Sequence, residues 1–192
     1  MIPNQLSLEE RRVLLDVARK ALEDAASGMP LEPLMMEMQS PCLQERGATF
    51  VTLRRGGELR GCIGTLEAYQ SLIEDVREHA LAAALHDYRF PPVTREELKE
   101  ISIEISRLTP PQHLEYKTCE ELERILCSRK EGVILRDGVR RATYLPQVWE
   151  KLPDPALFLN SLCMKMGLPP DTWQRRKMEV WLYQVEEFHE DN

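Results

Sequence analysis

The sequence predicts an α+β fold with mostly antiparallel sheets and packed helices. Two pairs of apolar or β-branched segments are joined by the tight-turn dipeptides Gly56-Gly57 and Asp137-Gly138, which is typical of β-hairpins. Segments with helical periodicity are irregularly interspersed among the strands, whereas a doubly wound α/β fold alternates strand and helix. The 192 residues are enough for one domain with a sizeable core.

A helix is predicted near the start of the chain. Ser7-Leu-Glu-Glu10 has the capping-box pattern, and apolar residues follow at helical spacing from Leu14 to Ala25 until Gly28 ends the pattern. Residues 29–47 carry prolines and methionines without a steady period. They are therefore expected to form a long, flexible surface connection.

The first hairpin pairs residues 48–53 with residues 58–66. The next helix begins at the capping box Ser71-Leu-Ile-Glu74 and must end before Pro91-Pro92. In residues 101–108, isoleucines alternate with polar residues, so this strand has one apolar and one polar face.

The second half of the chain contains the same kinds of element. Thr118-Cys-Glu-Glu121 opens a helix, and residues 132–145 form the second hairpin. Asp154-Pro155 begins a further helix, which Gly167 ends. Residues 179–187 are predicted to form a last strand that closes the sheet.

Composition excludes several classes of protein. Lys and Arg total 25 against 32 Asp and Glu, a net charge of −7, which disfavours nucleic acid as the main partner but leaves room for a local anionic small-molecule site. No run of 18 apolar residues predicts a membrane span, and the N-terminal residues have no secretory pattern, so a cytoplasmic location is expected. The 5 cysteines show no C-x-x-C spacing, which argues for reduced thiols without a disulfide framework or zinc site.

Cofactor motifs are also missing from the sequence. It has no Walker loop, no G-x-S-x-G and no dinucleotide fingerprint, so no cofactor is predicted. His79 and His86 share a helix face, but the spacings typical of metal sites do not occur, so no metal is predicted either.

The stretch Leu59-Arg-Gly-Cys-Ile-Gly-Thr65 places Cys62 beside Arg60 and between Gly61 and Gly64. Glycines on both sides expose backbone N–H groups and permit the close approach of an anion or a planar ligand. In a regular strand Arg60 and Cys62 point to the same face, where the guanidinium would stabilise a thiolate. A packing role stays open as well, because free cysteines often pack as small hydrophobes and strand glycines often mark a bulge.

Charged residues elsewhere are candidates for the same site. The strand of Cys62 advances about 25 Å at roughly 3.3 Å per residue, and the helix after it returns about as far at roughly 1.5 Å per residue. If the helix folds back, Asp87 and Arg89 lie near the start of this strand, where Asp87 could orient a base or accept a ligand hydroxyl and Arg89 could bind a carboxylate or phosphate. Alternatively, the two form a buried pair that pins the turn before Pro91. Glu104, on the polar face of its strand, is a candidate general base if that face lines a cleft, and otherwise a surface charge.

Four motifs, LRGCIGT, HDYRFPPV, EISRLTPP and ATYLPQVW, resemble in sequence and order those of the AMMECR family, whose bacterial members are called AmmeMemoRadiSam system protein A. The resemblance covers nearly the whole chain. It implies one α+β domain of two lobes over residues 1–192, with both chain ends in one lobe and a cleft near Cys62. The family motif residues, carried over by position, are Arg60, Gly61, Cys62, Ile63, Gly64, Thr65, Asp87, Arg89, Phe90, Pro91, Pro92, Glu104, Thr143, Leu145 and Pro146.

The resemblance also implies partners, because bacterial relatives are grouped with a Memo-like protein and a radical SAM protein. Two functions stay open. In the first, the chain is an enzyme or a protein that binds a small molecule, and Cys62 is the nucleophile or thiol acceptor. Arg60 and Arg89 hold an anionic group of that molecule, and Asp87 or Glu104 moves a proton. In the second, it is a non-catalytic partner or scaffold that docks on those proteins.

Overall fold

The computed structural model describes residues 5–190 and divides the chain into two compact units. Unit 1 comprises residues 5–109 and 186–190, and unit 2 comprises residues 110–185. Each unit has its own antiparallel pairings and its own hydrophobic core. The predicted α+β class is confirmed. Among the described residues, no helix has the length and hydropathy needed to cross a membrane.

The helices and strands follow one another irregularly along the chain. The α-helices are α1 (Leu8–Ser27), α2 (Pro41–Gln44), α3 (Leu72–Leu85), α4 (Cys119–Arg129), α5 (Val148–Lys151), α6 (Pro155–Lys165) and α7 (Thr172–Arg175), with 3-10 turns at Met36–Met38 and Arg95–Glu97. The strands are β1 (Arg46–Arg55), β2 (Glu58–Gly64), β3 (Gln70–Ser71), β4 (Ile101–Leu108), β5 (Gln112–Leu114), β6 (Gly132–Asp137), β7 (Arg140–Tyr144), β8 (Glu179–Tyr183) and β9 (Val185–His189).

α1 begins and ends where the capping residues predict. The Ser7 hydroxyl accepts the Glu10 backbone N–H at 3.2 Å, and the Glu10 carboxylate accepts the Ser7 backbone N–H at 2.8 Å. Gly28 ends the helix at φ 65°, a left-handed conformation that glycine adopts at little cost. Leu14 and Leu22 are fully buried, so the apolar stripe of α1 faces the core of unit 1.

The sheet of unit 1 has the strand order β2-β1-β4-β9, with β3 paired to the start of β1. Antiparallel pairing sets Leu53 of β1 opposite Ile103 of β4, and Val51 opposite Ile105. All four side chains are fully buried in the same core as residues of α1 and α3. The alternation predicted for residues 101–108 is therefore confirmed, and the opposite face of this sheet carries the polar side chains.

Gly61 allows α3 to lie close to β2. A Cβ atom at this position would stand 2.3 Å from the carbonyl oxygen of Ala83, which is too close for any side chain. Because that oxygen belongs to the backbone of α3, the helix cannot move away cheaply. The contact brings the C-terminal end of α3 next to the strand that carries Cys62.

Unit 2 is built around a sheet with the order β5-β8-β6-β7. The hairpin of β6 and β7 turns at Gly138, which has φ 59°, as the Asp-Gly pair predicts. The core includes Phe158 of α6, which stacks on Trp149 at a ring-centroid distance of 3.8 Å, and the fully buried Trp173.

Two predicted segments differ in the structure. Residues 29–47 are not a plain connection, because α2 lies within them, its Leu43 is fully buried, and β1 already begins at Arg46. The single last strand predicted over residues 179–187 is wrong: β8 ends at Tyr183 in the sheet of unit 2, and β9 belongs to the sheet of unit 1. A helix of one turn is too short to show a helical period, and two strands that follow each other directly show no change of period at their boundary. Neither feature can therefore be recognised from the sequence pattern.

Candidate functional site

Cys62, Thr52 and Glu104 form one row across three neighbouring strands. Thr52 of β1 lies opposite Cys62 of β2 on one side and opposite Glu104 of β4 on the other. Directly opposed residues of antiparallel strands share a face, so the three side chains stand on the polar face of the sheet. The Thr52 hydroxyl donates a hydrogen bond to the half-buried Cys62 Sγ at 3.3 Å.

Glu104 stands at the far end of this row. Its carboxylate accepts a hydrogen bond from Arg54 Nε at 3.1 Å, and the side chain is half-buried. Two strand spacings separate the backbones of Cys62 and Glu104, or about 10 Å. The carboxylate is thus placed to act on a molecule lying over Thr52 and not on the Cys62 sulfur itself.

Asp87 and Arg89 lie against the backbone of Cys62. One Asp87 carboxylate oxygen accepts the Cys62 N–H at 2.8 Å. Arg89 donates to both Asp87 oxygens, from Nε at 2.8 Å and from Nη2 at 2.6 Å, and Nη2 also donates to the Cys62 carbonyl oxygen at 3.2 Å. Because α3 runs back along β2, these two residues lie next to Cys62. Asp87 and Arg89 also form the ion pair that was expected to hold the turn before Pro91.

Asp87 is ill suited to carry a proton. It is 4% exposed, and both of its oxygens accept hydrogen bonds. The hydrogen bonds from the Arg89 guanidinium, aided by the backbone N–H groups of Cys62 and Arg89, hold the pKa of this carboxyl well below its usual range. The role of proton carrier suggested for Asp87 is therefore replaced by that of a positioning group for Arg89.

Arg89 keeps part of its guanidinium available. The side chain is 43% exposed, and Nη1 has no hydrogen-bond partner among residues 5–190. The Asp87 carboxylate raises the pKa of Arg89, with a smaller Coulombic contribution from Cys62. The guanidinium also lies 5.6 Å from the ring centroid of Phe90. Arg89 is thus a fixed cation with an unused donor beside the backbone of Cys62.

Arg60 does not lie in a regular part of β2, as the prediction that it shares a face with Cys62 requires. The register shifts so that Leu59 pairs with Arg54 and Gly61 with Leu53, which makes Arg60 the extra residue of a β-bulge. Its guanidinium binds Glu97 through two hydrogen bonds of 2.8 and 2.9 Å. The bulge and the burial of Arg60, whose side chain is 10% exposed and bound to Glu97, thus argue against the expected contact with a Cys62 thiolate. Its role in holding an anionic ligand stays a prediction.

Glu97 was not among the residues singled out from the sequence. It follows β2 by more than thirty residues, and the hydrogen bonds from Arg60 lower its pKa to about 2. Its carboxylate also accepts the backbone N–H of Thr94 at 2.9 Å in a capping box. The Thr94-x-x-Glu97 spacing was a visible signal for this turn, but nothing local pointed to Arg60.

The remaining motif residues near Cys62 contribute to packing. Ile63 packs against the core of unit 1, and a Cβ at Gly64 would lie 2.3 Å from the carbonyl oxygen of Thr49. The backbone N–H of Thr65 donates to that same oxygen at 3.0 Å. These contacts fix the end of β2. Within the described chain, no cluster of three or more metal-ligating side chains occurs.

The motif residues of the second half lie in unit 2. Thr143 is on β7, where its hydroxyl lies 3.0 Å from the Tyr183 hydroxyl, and Leu145 and Pro146 follow this strand. Burial raises the pKa of Tyr183 to about 12, so its hydroxyl stays protonated and donates to the carbonyl oxygen of Tyr144.

Comparison with known proteins gives a consistent set of matches. The AMMECR1 family model matches residues 15–188. A protein of Methanothermobacter thermautotrophicus is 40% identical over 187 residues, which cover 97% of each chain. A Methanopyrus kandleri protein is 37% identical over 196 residues, which cover 97% of this chain and 91% of that one. The crystal structure of an uncharacterized Pyrococcus horikoshii protein is similar with a TM-score of 0.78 and 35% identity, and the match covers 97% of this chain and 94% of that one.

Proposed function

The chain belongs to the AMMECR1 family, and we propose that it is a cytosolic protein whose Cys62 is the reactive thiol of a site for an anionic small molecule. The observation that carries this proposal is the fixed position of Arg89. Asp87 holds the guanidinium against the Cys62 backbone while Nη1 stays unbonded within residues 5–190. A guanidinium with a free donor binds carboxylate or phosphate oxygens, so the anionic end of a ligand would lie beside the sulfur.

The thiol has a neighbour suited to nucleophilic chemistry. The Thr52 hydroxyl donates to Sγ, and such a donor stabilises the negative charge of a thiolate more than the neutral thiol. Glu104 stands on the other side of Thr52 in the same row. In the proposal, the Cys62 sulfur adds to a polarised double bond of the ligand: the S–C bond forms, the π bond breaks, and its electrons move to the ligand atom that lies over Thr52. The thiol proton passes to water, and Glu104 transfers a proton from water to that ligand atom.

The proposal is tested by comparing two alkylating reagents that differ in charge. Iodoacetate carries a carboxylate and iodoacetamide does not, so Arg89 should favour iodoacetate at Cys62 alone. The ratio of the two alkylation rates, measured for each cysteine by peptide mass spectrometry, is expected to be about tenfold higher at Cys62 than at Cys119 and to fall to the Cys119 value in Arg89→Gln. A ratio at Cys62 that matches Cys119 in the unmodified chain contradicts the proposal.

A non-catalytic docking role is the second candidate, and Tyr88 favours it. This side chain is 96% exposed. It lies between Asp87 and Arg89, whose hydrogen bonds to each other fix the backbone of this turn. An exposed tyrosine on a rigid turn is well suited to insert into a partner's pocket. The proposed partners are a Memo-like protein and a radical SAM protein.

Co-purification with these two proteins separates the candidates. Under the docking role, Tyr88→Ala loses the partners while Cys62→Ser retains them. Retention of both partners by Tyr88→Ala contradicts docking through this turn.

A further inference from the structure

We propose that the outer face of α6 in unit 2 forms a second ligand site, which binds a carboxylate carrying an apolar group. The proposal does not depend on the Cys62 site, since all of its residues lie within residues 110–185. It also gives a role to the ATYLPQVW motif, whose tyrosine, Tyr144, is part of the site.

Three polar groups converge where α6 faces the end of β7. The hydroxyls of Tyr144 and Ser161 are 2.7 Å apart. Lys165 lies one helical turn after Ser161, and its Nζ stands 4.8 Å from the ring centroid of Tyr144 and donates to the Thr143 carbonyl oxygen at 3.0 Å. Tyr144 and Ser161 are half-buried and Lys165 is exposed, so a ligand can reach this cluster from solvent.

The cluster has unused hydrogen-bond donors. Two hydroxyls that share one hydrogen bond leave one O–H group over, and an ammonium that makes one hydrogen bond leaves two N–H groups over. In the described part of the chain, Lys165 forms no ion pair, and the hydroxyls of Tyr144 and Ser161 make no further hydrogen bond to a side chain. A carboxylate only accepts hydrogen bonds, so it complements these three donors and the positive charge.

Tyr144 is held rigidly enough to act as part of a binding site. Its ring packs edge-on against Phe158 at 5.4 Å, and Phe158 in turn stacks on Trp149. Ser161 is fixed on the helix that also carries Phe158. The two hydroxyls are therefore placed by the core of unit 2, and little entropy is lost when they bind a ligand.

Exposed apolar side chains flank the donors on the same face of α6. Leu157, four residues before Ser161, is 57% exposed, and Met164, three residues after it, is 58% exposed. Side chains at these spacings lie on one side of a helix. A ligand whose carboxylate meets Ser161 and Lys165 can thus lay an aliphatic or aromatic substituent on Leu157 or Met164.

The test uses hexanoate and hexanamide, which share the apolar chain and differ in charge. With 13C-methyl methionine, the Met164 methyl resonance, assigned by its absence in Met164→Leu, reports binding in the full chain. Hexanoate is expected to shift this resonance in a saturable way, while hexanamide and inorganic phosphate leave it unchanged at the same concentrations. An equal shift with hexanamide overturns the carboxylate specificity, and an equal shift with phosphate overturns the need for an apolar group.

Variants identify the donors. Lys165→Gln and Ser161→Ala are expected to weaken hexanoate binding roughly tenfold or more, while Lys151→Gln, which removes an exposed lysine elsewhere in unit 2, leaves it unchanged. Unchanged affinity in both Lys165→Gln and Ser161→Ala contradicts the proposal. Acetyl-Gly-Leu with a free C-terminus distinguishes the source of the carboxylate: tighter binding than hexanoate indicates a peptide C-terminus, and weaker binding indicates a free acid.

Discussion

The Asp87 carboxylate accepts the backbone N–H of Cys62 at 2.8 Å, across 25 positions of sequence. The same carboxylate holds the Arg89 guanidinium through two hydrogen bonds. One buried acid thus fixes both the strand that carries the thiol and the cation beside it. The stability of unit 1 and the chemistry of Cys62 are therefore expected to change together when Asp87 is altered.

Asp87→Asn is expected to lower the free energy of unfolding by about 2 kcal/mol, because the charge-assisted hydrogen bonds to Arg89 are lost while the amide oxygen can still accept the Cys62 N–H. Urea unfolding at neutral pH measures this change. A loss smaller than about 0.5 kcal/mol, typical of a surface substitution, contradicts the role given to Asp87.

The Asp87 contribution has a defined pH dependence. Its pKa is lower in the folded chain than in the unfolded one, so the stabilisation is complete above the ordinary carboxyl pKa of about 4 and is lost as the pH falls below it. The difference in unfolding free energy between the unmodified chain and Asp87→Asn is therefore expected to shrink in acid. A difference in unfolding free energy that grows as the pH falls would contradict a lowered pKa of Asp87 in the folded chain.

Glu97 provides a second acid-sensitive contact. Arg60 lowers its pKa from 4.5 to about 2, so its stabilisation is present above pH 4.5 and is lost as the pH falls to about 2. Glu97→Gln leaves the nearly buried Arg60 without its charge partner and is expected to cost about 3 kcal/mol at neutral pH, as measured by urea unfolding.

Glu100→Gln is the matched control for this change. Glu100 pairs with Arg55 at the exposed surface, where an ion pair contributes less than about 1 kcal/mol. Equal losses in Glu97→Gln and Glu100→Gln would show that the Arg60 pair has no special weight.

Gly61→Ala is expected to destabilise unit 1 strongly. The new Cβ would lie 2.3 Å from the Ala83 carbonyl oxygen, so β2 and α3 must separate, at a cost of about 3 kcal/mol. Gly138→Ala is the control, because its Cβ has open space and meets only the cost of φ 59°, about 1 kcal/mol. Thermal unfolding of both variants measures the two costs. If Gly61→Ala melts no lower than Gly138→Ala, the close approach of α3 to β2 is not a constraint on this residue.

The sequence was sufficient for elements whose signals are local. The capping residue Ser7 and the turn pair Asp137-Gly138 act within a few residues, so they predict helix and hairpin boundaries well. The division between β8 and β9 at Gln184 was not predicted, because β-branched and aromatic residues occur on both sides of Gln184 and give no sign that the two halves join different sheets.

The candidate site also has parts that the sequence predicts and parts that it does not. The lengths of a strand and a helix predict that Asp87 and Arg89 lie near the strand of Cys62 if the helix folds back, although at the start of that strand. Their contacts with Cys62 itself are seen only in the structure. The bulge at Arg60 depends on the pairing register with β1, and its partner Glu97 comes from a distant turn. Neither can be inferred from local spacing, and together they explain why the ion pair of Arg60 with Glu97 was not predicted.

The rate at which iodoacetamide alkylates Cys62, relative to Cys119 in the same chain, tests most directly whether this thiol is reactive. Burial raises the pKa of Cys119, whereas the Thr52 hydroxyl donates to the sulfur of Cys62. We expect Cys62 to be alkylated at least about tenfold faster than Cys119, and Thr52→Val to reduce this advantage. A Cys62 rate equal to or lower than that of Cys119 contradicts a reactive thiol at this site and leaves Cys62 with a packing role alone.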